Sequence, residues 1–447
     1  MAWGNVKLKE ILKQVKNVID VDDSTEYLQV TVSNTGEIKP RGIKAGAKIG
    51  TKKQTIIKEG WFIYSRLGIH QGAFGIVPEE LNGAIVTGDM PVFRILETIV
   101  LPEFLIYSMR LQSFRKQLVN LTRGLAQTRI REKFLLDLEI KTPPVIEQQK
   151  ILKKVKMLES LNTQVTKSNL LSQLQIQKLR QAILSEAIQG KLVPQDPNDE
   201  PASVLLERIE SEKEKLIKER KIKKEKSLSP ISQDEIPFEI PKSWKWVRLG
   251  MIGNACESSI VDGPFGSSIN VKKDYIAEGV PVIRMMNIKP YKLILENIKY
   301  INKEKFIQLR RHNVLPGDVI FAKVGAGIGE CCVVPVDFVE GMLATTGVCR
   351  FRVGAVVCAL YLNHFLTSHR NQFVQKASTT AQPFLNMTTI KDTLLPLPPI
   401  KEQERIIGKV GDLMNLCDEL EEQGKKDQAN SEKLMDAILR EAFVHEA

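Results

Sequence analysis

A chain of 447 residues, 43% hydrophobic and 26% charged, has the composition of an ordinary globular protein and the length for about two to four domains. It holds no run of about 18 apolar residues, and its opening stretch MAWGNVKLKEILKQV lacks the features of a signal peptide, so a membrane-spanning helix is excluded and a cytoplasmic protein is expected. The net charge of +11 favours a polyanionic partner, nucleic acid first, while six cysteines with no CxxC pair exclude a disulfide framework or a zinc site and read as reduced thiols.

In chain order, YLQVTVS, QTIIKEGWFIYSR and GAIVTGDMPVFRI read as strands with turns between them. GIKAGAKIGTKK (42–53) reads as a flexible basic turn, and PEFLIYSMRLQSFRKQLV as one helix. From Glu147 to Gln189 there is no Gly or Pro, which predicts one long helix opened by Pro143-Pro144. A heptad seam runs through Ile151, Val155, Leu158, Asn162, Val165, Asn169, Ser172, Ile176, Leu179 and Ile183. At about 1.5 Å per residue the helix is a rod of roughly 60 Å. A charged helix or coil follows, then a Pro- and Ser-punctuated linker to Trp244. GVPVIRMMNI, GDVIFAKV, GECCVVP and GVCRFRV read as a second set of strands, and ALYLNHFLTSHRNQFVQKA as their helix. A second Pro-Pro, at 398–399, then launches a second long helix, with a seam through Ile406, Val410, Leu413, Cys417, Leu420, Gly424, Asp427, Ser431, Leu434 and Ile438.

The chain is a repeat. PPVIEQQKILKKV (143–155) and PPIKEQERIIGKV (398–410) agree at seven of thirteen positions with an offset of 255 residues. The same offset relates Ala126-Gln127 to Ala381-Gln382, and KLRQAILSEA (178–187) to KLMDAILREA (433–442). Upstream the match loosens: Trp3, Val6 and Leu8 pair with Trp244, Val247 and Leu249 at 241, Gly60 and Ile63 with Gly317 and Ile320 at 257, and Phe93-Arg94 with Phe351-Arg352 at 258. Each copy therefore has a variable front and a length-constrained back. Two rods of equal length are expected to pack on each other rather than each on its own front.

Catalytic motifs are absent. GIKAGAKIGTKK lacks P-loop spacing, and GAGIGE (325–330) runs on into the strand CCVVP, so it reads as a hairpin turn rather than a dinucleotide site. TPPV and LPPI lack the aromatic that an amino-methyltransferase needs. No histidines stand at metal-ligand spacing, and no GxSxG elbow occurs. A recognition protein is favoured over an enzyme. Two different globular fronts held by rods of fixed length suit two different half-sites on one duplex. The competing reading is a coiled-coil scaffold joining two protein-binding domains.

The tandem modules, the PP-x-x-EQ helix openings, DEIPFEIPKSWKWVRLG, DGPFGSSI, GVPVIRMMNI and LPGDVIFAKVG resemble the specificity subunits of type I restriction–modification systems, over nearly the whole length. The resemblance implies a mixed α/β (α+β) fold: two β-rich target recognition domains, each followed by a long helix, the helices pairing as an antiparallel coiled coil with pseudo-two-fold symmetry. It places target recognition domains at 1–142 and 244–397, conserved helices at 143–190 and 398–447, and a charged helix and linker at 191–243. It implies a non-catalytic subunit that binds double-stranded DNA and docks two methyltransferase subunits, joined by restriction subunits. S-adenosylmethionine, ATP and Mg are then expected in the partners, with no cofactor or metal in this chain. One departure is that the first module starts almost at once, at Trp3, without the leader that precedes Trp244; the chain also stops at EAFVHEA, where the first copy continues with QGKLVPQ.

The residues expected at DNA in the first module are Lys44, Lys48, Lys52, Lys53, Arg66, Arg123, Gln127 and Arg129, chosen for cationic and polar loop tips. In the second they are Arg284, Asn287, Lys289, Lys323, Ser378, Thr379, Thr380 and Gln382. Glu147, Gln148, Glu402 and Gln403 are expected to cap the rods and to be available to partner subunits. For each DNA candidate a solvated surface group is the plain alternative, and for the four helix-start residues plain capping is.

Overall fold

The computed structural model describes residues 3–122, 129–222, 228–253, 258–354, 356–378 and 383–443. The chain divides into two compact units, residues 1–169 with 425–447, and residues 170–424. The division falls after Asn169 in one long helix and after Gly424 in the other, equivalent positions at the offset of 255.

In the first unit the strand Gly4–Lys7, which follows Trp3, pairs antiparallel with Glu139–Thr142, the strand that runs into Pro143-Pro144. The module between them holds two sheets. Four strands lie in the order Leu12–Gln14, Val92–Ile95, Phe62–Tyr64, Phe74–Ile76. Five more lie in the order Val18–Asp20, Lys53–Ile56, Ile85–Val86, Glu26–Val32, Ile38–Ala45. Phe62, Tyr64, Phe74 and Phe93 form a buried aromatic cluster under Phe104 and Leu105 of the helix Pro102–Arg110. Aromatic and β-branched residues dominate these strands because they fill a pleated, buried surface.

The second unit follows the same plan. Lys245–Arg248 pairs antiparallel with Leu394–Leu397. Val6 stands opposite Ile140 and Val247 opposite Leu395, so the repeat in the sequence is also a repeat of register. The four-stranded sheet runs Ile260–Asp262, Val348–Phe351, Val319–Ala322, Cys331–Val333. Phe62 opposite Ile76 becomes Val319 opposite Val333, both at an offset of 257. Each five-stranded sheet holds one parallel pair, Gln29 with Ile85 and Val282 with Met342. The offset grows from 241 at the opening strand to 255 at the closing one, so the second module is longer by 14 residues.

The two long helices are Val145–Ile188 and Ile400–Phe443, 44 residues each. Within the first unit Ser431 Oγ donates to Asn162 Oδ1 (3.0 Å), and Gln428 Nε2 donates to Thr166 Oγ1 (3.2 Å), so the two helical segments run antiparallel there. Within the second unit Arg180 is paired with Asp418 and Glu421, and Ile183 and Leu184 share a core with Ile406, Val410 and Cys417. The strict heptad drifts, as a helix of about 3.6 residues per turn must against a 3.5 repeat. Leu179 and Leu434, equivalent at 255, are both exposed, and Arg180 takes the facing place of Leu179. The first long helix ends at Gly190, whose φ of +71 makes the left-handed cap; a Cβ there would stand 2.5 Å from Pro241 Cγ.

Three local expectations change or narrow. The stretch 42–53 is not a loose turn: its first residues finish the strand Ile38–Ala45, and Gly46–Lys48 is a single 3-10 turn. The helix expected over 102–119 is two, Pro102–Arg110 and Gln112–Thr122, broken at the extended Leu111; its counterpart breaks at His369 into Ala359–Ser368 and Arg370–Lys376. The breaks keep Phe114 and Phe373 buried on their cores. The charged segment, expected as helix or coil, is a helix over Ala202–Lys218, with Leu205 buried against the second module. Among the described residues no helix is long and apolar enough to cross a membrane.

Candidate nucleic-acid interface

The loops at one end of each four-stranded sheet bring several of the expected residues together. In the first module Arg66 leaves the end of the strand Phe62–Tyr64, and its carbonyl accepts from Ile130 N (3.0 Å). In the second, Lys323 leaves the end of Val319–Ala322, and its carbonyl accepts from Leu385 N (2.9 Å). Arg66 and Lys323 are thus equivalent, each at the root of the segment that joins the module's helices to its closing strand. TRGLAQTRI and STTAQPFLN are those segments, and Arg123, Gln127, Thr379, Thr380 and Gln382 lie outside the described residues.

The equivalent cations meet different surroundings. Arg66 is half-buried, bonded to Glu132, with Asp89 at 3.8 Å. Arg129, more exposed, reaches Asp89 at 3.3 Å. Lys323 is fully buried: its ammonium lies 2.5 Å from Asp262 Oδ1 and 5.1 Å from the Phe384 ring centre. Burial pushes the Asp262 carboxyl up, against the opposing pull of that ammonium. The expectation that Lys323 meets DNA as a free cation is therefore corrected. An ammonium taken out of water must be paired, and this one is spent on Asp262 and the phenyl face.

Asn287 is corrected in the same way. It is buried, accepts from Arg284 N (3.0 Å) and donates to Ile294 O (2.8 Å), which makes it the keeper of its turn. Arg284 is half-buried and donates to Asn297 O (2.7 Å). Lys289 is exposed, with Glu330 at 3.8 Å. Ser378 is exposed and closes its loop by accepting from Phe384 N (3.0 Å). Lys44, Lys48 and Lys53 are exposed around the five-stranded sheet of the first module, and Lys52 is paired with Asp23 and donates to Gly46 O (2.8 Å). This group lies on a different sheet from Arg66 and Arg129. On the edge strand Ile38–Ala45, Arg41 occupies a bulge between Pro40, opposite Val30, and Gly42, opposite Gln29; composition alone does not mark it.

The helix-start residues divide sharply. Gln148 and Gln403 are fully buried, which corrects the expectation that they face partners. Gln148 accepts from Leu101 N and donates to Ile99 O and Pro143 O, each at 2.8 Å. Gln403 accepts from Cys358 N (2.8 Å) and donates to Val356 O (2.9 Å) and Pro398 O (3.0 Å). The same amide thus staples each rod to the loop before its module's helix. Their neighbours differ. Glu147 is exposed beside Lys150 (3.3 Å). Glu402 is buried, accepting from Trp244 Nε1 (2.9 Å) and Gln195 Nε2, and burial raises its carboxyl. Glu402 is therefore corrected too, from a partner-facing acid to an internal acceptor.

The sequence also matches a known domain, the type I restriction modification DNA specificity domain, over residues 2–175 and again over 241–431. The chain belongs to this family. The EcoAI specificity subunit of Escherichia coli is 31% identical over 277 residues, 60% of this chain and 45% of that protein. The EcoEI specificity subunit of the same species is 32% identical over 287 residues, 59% of this chain and 43% of that protein. The chain thus spans less than half the length of these two relatives. A chain solved in work on complex assembly and conformational transition of the type I R-M system superposes with a TM-score of 0.69 at 19% identity, covering 100% of this chain and 98% of that one. The HsdS subunit from Thermoanaerobacter tengcongensis gives 0.61, also at 19%, with 100% and 97% covered. These likenesses establish the specificity-subunit fold. In this specificity-domain chain the two matched segments correspond to the two modules with most of their long helices, and the unmatched stretch 176–240 holds the end of the first helix and the segment around Gln195 that bonds Glu402.

Proposed function

We propose that this chain is the DNA-reading subunit of a type I restriction–modification complex, each module reading one half of a bipartite, asymmetric site. The observation that carries the reading is the contrast inside the repeat: the glutamine staple and the paired end strands recur in register, while at the sheet ends the equivalent cations meet different partners, Arg66 with Glu132 and Asp89, Lys323 with Asp262. A frame kept constant around surfaces that differ is what two unlike half-sites require. Lys and Arg on each module supply phosphate contacts, and the loops from Thr122 and Ser378 supply groove or phosphate contacts. The equal helices set the separation of the half-sites and dock two methyltransferase subunits. S-adenosylmethionine chemistry belongs to those subunits, and ATP and Mg to restriction subunits that join them in the cytoplasm.

Methylome sequencing of a host expressing this chain with its neighbouring methyltransferase tests the reading. The expected result is a two-part adenine-methylated site, and replacing residues 244–397 by another second module changes only one half. A methylome without any site dependent on this chain would overturn the proposal.

A further inference from the structure

The second module carries an exposed aromatic tip. Phe265, in DGPFGSS, is 77% exposed. Its loop is not loose. Gly263 N donates to Val348 O (2.9 Å), and Ser268 N turns back to Phe265 O (2.7 Å). A Cβ on Gly263 would stand 2.2 Å from Thr345 O, so only glycine lets the two backbones approach this closely. Asp262, at the root, is held by Lys323 through its carboxylate, and its carbonyl lies 2.5 Å from His312 Nδ1. The buried ion pair that removed Lys323 from the surface therefore anchors the base of this loop.

The His312 contact brings a second element alongside. Arg310–His312 is a short 3-10 turn, and Arg310 and Arg311 are exposed. Among the described residues neither arginine has an acid within ion-pair distance. Phe265 is three residues from Asp262, so its backbone lies within roughly 11 Å of the carbonyl that faces His312. Lys272 and Lys273, a few residues on in the chain, are exposed, while Asp274 beside them is bonded to Asn270 N (2.6 Å) and paired with Lys305 (3.7 Å). Another exposed apolar loop of this module, with Val336 and Val339, is interleaved with Asp337 and Glu340 and has no such cationic flank.

We infer that Phe265 and the Arg310–Arg311 pair form a DNA-contact surface of the second module, the ring stacking on a base or sugar while the guanidinium groups hold the flanking phosphates. A ring on a turn whose backbone is already held leaves only side-chain freedom to lose on packing, and an exposed ring on a module that also exposes two unpaired planar cations suits a nucleotide chain better than an apolar protein groove. The two arginines without ion-pair partners favour a polyanion, which under the proposed reading is duplex DNA.

The inference rests on the proposed DNA reading, and the test separates the two. The full chain, assembled with its methyltransferase, is titrated by fluorescence anisotropy against a duplex bearing the site found by methylome sequencing, over a salt series. Phe265→Ala should weaken binding about tenfold with the salt slope unchanged, and Phe265→Trp should bind within about twofold of the parent. Arg310→Ala with Arg311→Ala should lower the log–log salt slope by about 1.8. If the parent binds and these variants bind equally well, the surface is not a DNA contact and the inference alone falls. If Phe265→Ala loses its methyltransferase on size exclusion instead, the tip is a protein contact, and the inference again falls. A parent complex that binds no duplex at any salt overturns the DNA reading and the inference with it.

Discussion

The two modules solve one packing problem with two chemistries. Each places an arginine directly after the phenylalanine of its inner strand, Phe93 or Phe351. In the first module Arg94 lies 5.6 Å from the centre of Trp61. In the second, Arg352 forms two bonds to Asp318, at 2.9 and 2.7 Å, from the equivalent place. A cation–π contact in one copy is an ion pair in the other. The root of the sheet-end loops behaves likewise, with Arg66 exposed enough to share two acids and Lys323 sealed under a phenyl ring. The glutamine staple shows no such freedom. Where one side chain must satisfy three backbone groups in a dry site, glutamine reproduces the pattern in both copies; where one cation needs any counter-charge, the solution drifts.

The strongest way to break this comparison is at the staple. Gln403→Ala and Gln148→Ala each strand three backbone groups, and each is expected to cost about 3–4 kcal/mol. Native-state hydrogen exchange checks it: the Cys358 amide should lose protection in one variant and the Leu101 amide in the other, to a similar degree. Unequal losses would show that the two staples are not equivalent. Lys323→Met comes next, leaving Asp262 without its ammonium, at about 2–4 kcal/mol, against about 1 kcal/mol for the more solvated Arg66→Met. Urea unfolding followed by module-specific exchange ranks the pair.

The Glu147 and Glu402 pair sharpens the contrast through pH. The folded-state carboxyl of Glu402 is raised, chiefly by burial. The folded chain therefore holds this proton more tightly than the unfolded chain, and the second module should lose stability as pH rises from the ordinary glutamate range through the raised value. Glu402→Gln should flatten that dependence in thermal unfolding monitored across pH, and a profile identical to the parent would reject it. The smallest effect is expected at Glu147→Ala, within about 0.5 kcal/mol in the same assay, because an exposed pair with Lys150 contributes little.

Much of this frame is legible in the letters. The register of 255 survives because no Gly or Pro interrupts the first helix and neither copy gains or loses a residue there, and the strands GDVIFAKV and GVCRFRV announce themselves by composition. The site is less legible. A lysine looks cationic and accessible in any string, and nothing beside Lys323 reveals that Asp262, 61 residues earlier, comes within 2.5 Å. Asn287 and the two glutamines look like surface amides because their partners are backbone groups, which have no letter. Phe265 escaped for the opposite reason: an isolated phenylalanine reads as core until its exposure is known. The break at Leu111 carries no Pro or Gly, so tertiary packing alone decides it.

The opening and closing strands of each module lie side by side, Gly4–Lys7 on Glu139–Thr142 and Lys245–Arg248 on Leu394–Leu397. Everything between them is a closed excursion that returns to its starting point. Fourteen extra residues in the second module shift neither the Pro-Pro nor the helix behind it. Since the entropic cost of lengthening a closed loop grows only as the logarithm of its length, about 0.6 kcal/mol per doubling, such an excursion can absorb inherited insertions and deletions one at a time. Sites of this kind are where a lineage can change its vocabulary without altering its grammar.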